Sequence, residues 1–196
     1  MVTITQSTET RRVYQLAELK AISETCERLG LTLHMDGARF ANACASLNCS
    51  PAELTWRSGV SVLCFGGTKN GMAVGEAILF FDRRLAADFE FRCKQAGQLA
   101  SKMRYLSAPW VHMLEDGTWL ENARHAHASA KAFASAVVGL PGVELKYPVE
   151  ANSVFCALAN RSRWNSVRVS GTFIRSSAAV RDSCSPGMRC RIESTR

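Results

Sequence analysis

The sequence predicts an α/β fold: a mixed, mostly parallel sheet with flanking helices, followed by the start of a small α+β lobe. Three observations carry that prediction. Short apolar runs at 31–35, 60–65 and 75–81 alternate with stretches of helical period at 16–30 and 39–47, the rhythm of strand–helix units. The run 60–65 is apolar almost throughout, as befits a buried strand. Past residue 85 the rhythm changes to longer helical patterns, then to strand-like runs at 143–145 and 153–158.

Taken in order, residues 2–5 alternate β-branched and polar side chains and read as a strand. Leu16, Leu19, Ile22, Cys26 and Leu29 recur at spacings of three or four, which puts them on one face of a helix that Gly30 ends. A short strand at 31–35 and a helix at 39–47 follow. Ser50-Pro51-Ala52-Glu53 carries the start signals of another helix: a serine cap, a proline at the first position and an acid nearby. Residues 88–103 are polar and basic with interleaved apolar positions, and 110–138 carry closely spaced alanines suited to packed helices. Leu140-Pro141-Gly142 turns the chain into a strand, and 153–158 is a second one.

The 196 residues are enough for one good core, or for one large and one small lobe. No apolar run reaches membrane-spanning length, and no signal peptide is visible at the N-terminus. The eight cysteines are scattered singly through apolar segments, and none forms a C-x-x-C pair. They read as reduced cytosolic thiols, mostly in the core. The net charge of +7 is unevenly placed. Residues 161–196 hold 8 Arg, no Lys and 2 acids, a net of +6, which leaves +1 for the rest. The body of the chain therefore gives no electrostatic reason to expect nucleic acid. The Arg-rich end reads as a solvated tail.

Two motifs carry chemistry. His34-Met35-Asp36-Gly37-Ala38-Arg39 ends one apolar run, and Phe65-Gly66-Gly67-Thr68-Lys69-Asn70-Gly71 ends the next. A carboxylate at the C-terminal end of a parallel strand sits where open α/β sheets bind ligands. Asp36 is either the cap of the following helix or an ion-pair partner that keeps a pyridine nitrogen protonated. Lys69 is either a solvated surface lysine or a partly desolvated amine able to act as a nucleophile. A carboxylate and a lysine in this relation are what pyridoxal phosphate needs, one for its ring nitrogen and one for its aldehyde. Arg39 has the planar fork that suits a carboxylate or the cofactor's phenolic oxygen. The glycines lack the spacing of a G-x-x-x-x-G-K-[ST] phosphate loop. His34 shares a strand face with Asp36 and reads equally as a site neighbour or a satisfied core histidine. His125 and His127, among alanines, read as packing or surface residues.

Over residues 2–158 the chain resembles the low-specificity L-threonine aldolases, a branch of the fold-type I pyridoxal-phosphate enzymes. The resemblance rests on Ile4-Thr5-Gln6-Ser7-Thr8-Glu9, Val13-Tyr14, 34–39, 65–71, 93–104 and Ala108-Pro109-Trp110. It implies that 1–105 is the C-terminal part of the cofactor-binding large domain. Residues 106–160 would then be linking helices and the start of the small domain, and 161–196 an unstructured Arg/Ser-rich tail. It further implies that Lys69 is the lysine bound to the cofactor and that Asp36 pairs with the pyridine nitrogen. Arg39 would hold cofactor oxygen and substrate carboxylate, Lys94 would lie near the phosphate, and Arg104 near the substrate. The implied reaction is retro-aldol cleavage of L-threonine or L-allo-threonine to glycine and acetaldehyde. It would take place in a cytoplasmic homotetramer of amino-acid metabolism, with no metal and no nucleic-acid or membrane partner.

Three departures from the family pattern accompany the resemblance. Its ring-stacking histidine and main phosphate loop have no counterpart before Met1. The Arg/Ser/Cys stretch after residue 160 replaces the small lobe's continuation and its substrate-binding arginine, as an out-of-frame reading of a GC-rich gene would. Thr10-Arg11-Arg12 stands where the family usually has a glycine before Val-Tyr. The alternative expectation is a catalytically inactive fragment of an aldolase.

Overall fold

The computed structural model describes residues 1–158, together with Arg168–Val169, Thr172–Phe173 and Met188–Glu193. Four strands, β1 (Val2–Thr5), β2 (Leu33–Gly37), β3 (Val62–Gly66) and β4 (Glu76–Phe80), form one sheet in the order β1-β2-β3-β4. The first three are parallel and β4 returns antiparallel. This is the mixed, mostly parallel sheet that the alternating runs predict. Crossovers pass through α1 (Leu16–Arg28) and α2 (Phe40–Leu47), as parallel neighbours require. Gly30 takes a left-handed conformation just past α1, with φ +66°, the role the sequence assigns to it.

The helix expected after Ser50-Pro51 does not form. Its capping hydrogen bonds do: the Glu53 N–H donates to Ser50 Oγ (3.3 Å) and the Ser50 N–H to Glu53 Oε2 (2.8 Å). The chain then closes only turns and a short 3-10 segment, Trp56–Ser58, before β3. Local start signals cannot extend a helix where the chain must enter the next strand within a few residues. The polar stretch 88–103 likewise gives a short helix, α3 (Phe89–Gln95), which ends at Ala96 before left-handed Gly97.

Two longer helices follow, α4 (Arg104–Glu115) and α5 (Thr118–Val137). Along α5 the buried residues are Trp119, Ala123, His127, Ala130, Ala134 and Val137, at spacings of three and four that define one continuous face. The two halves of this face serve different cores. Trp119 and Ala123 belong to the main cluster with Leu19, Met35, Phe40, Leu63 and Phe65. Ala130 and Ala134 pack with Val154, Leu145 and Val149. The second cluster lies beside a small antiparallel sheet, β5 (Val143–Leu145), β6 (Ser153–Leu158) and β9 (Met188–Glu193), in the order β5-β6-β9. Two further short strands, β7 (Arg168–Val169) and β8 (Thr172–Phe173), pair with each other. The remainder of 161–196, expected to be an unstructured tail, lies outside the described residues.

The loop after β1 ties this small sheet to the large one. Arg11 has φ +63°, in the left-handed region where an L side chain costs about 1–2 kcal/mol. Its side chain is fully buried. It donates from Nε to Ser153 Oγ (3.1 Å), and from one terminal nitrogen to the carbonyls of Thr8 (3.2 Å) and Glu9 (3.0 Å). Arg12 pairs with Glu150 (2.6 Å), which also accepts from the Val13 N–H (2.8 Å).

His127 is the buried histidine of the α5 face, and its Nε2 has no hydrogen-bond partner among the described residues. Burial pushes its pKa below the ordinary 6.5, the nearby Lys131 adds to that, and a hydrogen bond with the Val149 backbone opposes it. The unfolded chain therefore takes up this proton first as pH falls. Its share of stability is complete above about pH 6.5, is lost on acidification through that value, and levels off below the folded-state pKa. The urea midpoint should fall between about pH 7.5 and about pH 5.5, and His127→Gln should reduce that difference. An unchanged difference in the variant would rule this histidine out as the source.

Candidate active site

Asp36 is the penultimate residue of β2, between Thr5 of β1 and Cys64 of β3 in the parallel register. It is half-buried. Its Oδ1 accepts from the Ala38 N–H at 3.0 Å, a local turn that aims the chain into α2. The capping role weighed for it is not what forms: the cap of α2 is Arg39, with no side-chain cap hydrogen bond. The carboxylate's other oxygen has no hydrogen bond among the described residues.

On the same sheet face, His34 Nε2 lies 3.2 Å from Cys64 Sγ and Nδ1 lies 3.3 Å from Thr3 Oγ1. His34 is thus a satisfied histidine placed one register step from Asp36. Burial pushes the Cys64 thiol up, and the charges of Asp36 and Glu76 push it further. A strand-register argument would have found the row Thr3, His34 and Cys64 in the sequence.

Lys69 lies just past β3, in the short 3-10 segment Thr68–Asn70. It is exposed and makes no ion pair among the described residues. The partial desolvation expected of it is not supplied by the described chain. The turn that carries it is nonetheless firmly held. Asn70 is buried and donates from Nδ2 to the Trp119 carbonyl (2.9 Å), while Asn122 Nδ2 donates back to the Asn70 carbonyl (3.0 Å). Gly71 has φ +108°. A Cβ on Gly67 would meet Met72 Sδ at 2.5 Å, Trp110 at 2.8 Å and the Gly75 carbonyl at 2.9 Å. Two of the turn's glycines therefore answer a packing and a backbone need. Thr68 Oγ1 donates to Glu76 Oε1 (3.2 Å) and fastens the turn to β4.

The other expected residues are more dispersed. Arg39 is buried at the start of α2 and is engaged. Lys94 and Arg104 are exposed, on α3 and at the first position of α4. An open depression of about 650 Å³ is lined by Asp88, Phe91, Arg92, Lys94 and Gln95, without Asp36 or Lys69. It is the surface of one short helix rather than a cleft at the strand ends. Of the five residues, the fold brings Asp36 and Lys69 to the C-terminal ends of adjacent parallel strands.

A mixed, mostly parallel sheet with flanking helices is the large-domain fold of the fold-type I pyridoxal-phosphate enzymes. The family model described as beta-eliminating lyase matches residues 1–161, and the chain belongs to that family. It is 69% identical over 159 residues to the low specificity L-threonine aldolase of Pseudomonas sp. (strain NCIMB 10558), a match covering 81% of this chain and 46% of that protein. It is 67% identical, with the same coverage, to the protein of that name from Pseudomonas aeruginosa. The fold superposes on a solved Leishmania major threonine aldolase with a TM-score of 0.72 and 28% identity, over 80% of this chain and 45% of that one. The chain thus spans about half the length of the curated relatives it matches. No described helix is long and apolar enough to cross a membrane.

The lysine turn should depend on its tether. Asn70→Ala leaves the buried Trp119 carbonyl without its donor, a loss of about 1–3 kcal/mol, read as a lower urea midpoint. A midpoint equal to the parent's would show that the turn does not rest on this bond.

Proposed function

We propose that this chain carries the cofactor-binding strand ends of a pyridoxal-phosphate-dependent aldolase. The reaction is cleavage of the Cα–Cβ bond of a β-hydroxy-α-amino acid such as L-threonine or L-allo-threonine, to glycine and acetaldehyde. The observation that carries the reading is the pairing of β2 with β3: Asp36 on one strand, with one carboxylate oxygen unbonded among the described residues, and Lys69 on a tethered turn after the other. This donor set fits the cofactor, since it offers an anion for the pyridine nitrogen and an amine, without an ion pair among the described residues, for the aldehyde. When bound, the cofactor supplies an electron sink for the charge left at Cα.

The chain's own residues have distinct tasks. Asp36 would hold the ring nitrogen and keep it protonated. Lys69 would hold the cofactor's aldehyde and carry the proton to and from Cα. Arg39 would engage the cofactor's oxygen and the substrate carboxylate, Arg104 would assist on the substrate side, and Lys94 would meet the phosphate, each by charge-assisted contact. Asn70 and Gly67 keep the lysine's backbone fixed, so that its amine need not be positioned at the moment of reaction. The family resemblance extends the reading to a cytoplasmic homotetramer.

A second reading, a catalytically inactive fragment, draws on the exposure of Lys69. One experiment separates the two. Mixed with pyridoxal phosphate and passed through gel filtration, the chain should keep a visible absorbance band, and Lys69→Ala should lose it. After borohydride reduction the cofactor's mass should sit on the Lys69 peptide. Glycine and acetaldehyde formed from L-threonine by the same preparation would establish the activity. No retained band would favour the inactive reading.

A further inference from the structure

α2 ends in a backbone arrangement that brings two cysteines together. Asn48, its C-cap, is left-handed with φ +50°. The Cys44 carbonyl receives the Asn48 N–H and, at 3.4 Å, the Cys49 N–H. This second bond spans six residues and folds the chain back over the last turn. It draws residue 49 alongside residue 44, the two positions whose side chains meet where a helix ends in this way. Cys44 is fully buried, whereas Cys49 is half-exposed.

The two sulfurs are electrostatically unequal. The neighbouring Cys44 side chain pushes the Cys49 thiol below its ordinary range, against the opposing effects of burial and the Glu53 carboxylate. The Cys49 side chain, with burial, pushes Cys44 up. The accessible sulfur is therefore the one that more readily becomes a thiolate, and the buried one keeps its proton. That is the division of labour between an attacking and a resolving thiol.

We propose that Cys44 and Cys49 form a reversible disulfide across the C-cap of α2 when the chain meets hydrogen peroxide. The Cys49 thiolate attacks one peroxide oxygen, the O–O bond breaks, a sulfenic acid forms, and the hydroxide that leaves takes a proton from solvent to become the first water. The Cys44 sulfur then attacks the Cys49 sulfur. The S–S bond forms, the S–O bond breaks, and the proton of Cys44 leaves with the second water. Two thiols are oxidised and one peroxide is reduced; an external dithiol reverses the change. The neighbouring thiol captures the sulfenic acid before it can climb to the irreversible sulfinic state. The link closes on a helix end whose Ser46 also donates to the Glu150 carbonyl, so the joint with the small sheet stays in place.

Hydrogen peroxide applied to the native chain, followed by alkylation under denaturing conditions and peptide mapping, tests this. The expected result is a mass loss of about 2 Da located to a Cys44–Cys49 linkage and restored by dithiothreitol. Cys49→Ser should abolish that loss. Cys44→Ala, its fold checked by circular dichroism, should instead gain about 32 Da at Cys49. The proposal is overturned if wild-type Cys49 itself gains that mass without a linkage. It is also overturned if the linkage joins another pair, such as Cys156 and Cys190, which stand opposite one another on β6 and β9.

Discussion

The structure depends on the burial of Phe65 among aromatic rings. Its ring lies 5.4 Å from Phe40, 5.4 Å from Trp119 and 4.8 Å from Trp110. Those partners come from α2, α5 and α4, so one side chain of β3 gathers three helices. Each such contact is worth about 0.5–1.5 kcal/mol beyond area burial. The placement matters more than the sum. Gly66 and Gly67 follow Phe65 at once, and Trp110 leaves no room for a side chain on Gly67. Trp119 also lends its carbonyl to Asn70. The residue that completes the aromatic cluster thus fixes the turn that carries Lys69. The core and the candidate site are one packing arrangement.

A second dependence runs along α5. Its single apolar face is shared by two clusters, so the helix carries the large sheet's core at one end and the small sheet at the other. The loop after β1 reinforces the joint through Arg11, Arg12 and Glu150. The Arg11 position is costly by itself, because it pairs a left-handed backbone with a buried guanidinium. Three hydrogen bonds, one of them to Ser153 of β6, offset that cost. The strained backbone at Arg11 thus accompanies a tie between the two sheets.

Much of this was legible in the sequence, for physical reasons. Continuous apolar runs located the buried strands, and the predicted 153–158 coincides with β6. The i, i+3, i+4 spacing located α1. Asp36 and Lys69 stood out because charge at the end of a buried run needs an explanation. The illegible parts depended on partners distant in sequence. The start signals at Ser50-Pro51 formed their hydrogen bonds but not their helix, because the approach of β3 set the length available. Asn70 looked like a turn residue, and only the fold brings it to the Trp119 carbonyl, 49 positions on. Cys44 and Cys49 read as isolated core thiols because no C-x-x-C spacing joins them; a left-handed Asn48 does.

The exposure of Lys69 bears on how the site divides its labour. The described chain supplies position: a strand end, a tethered turn, and a carboxylate with one oxygen free. It does not supply enclosure, since Lys69, Lys94 and Arg104 all face solvent. Position and enclosure are separable contributions to catalysis, the first settled by packing and the second by exclusion of water. The core beneath the Lys69 turn is packed among the described residues, so the backbone that carries the amine is held by the fold while the amine itself stays open to solvent. Placing the backbone and excluding water are thus separate contributions, and only the first is built into the turn.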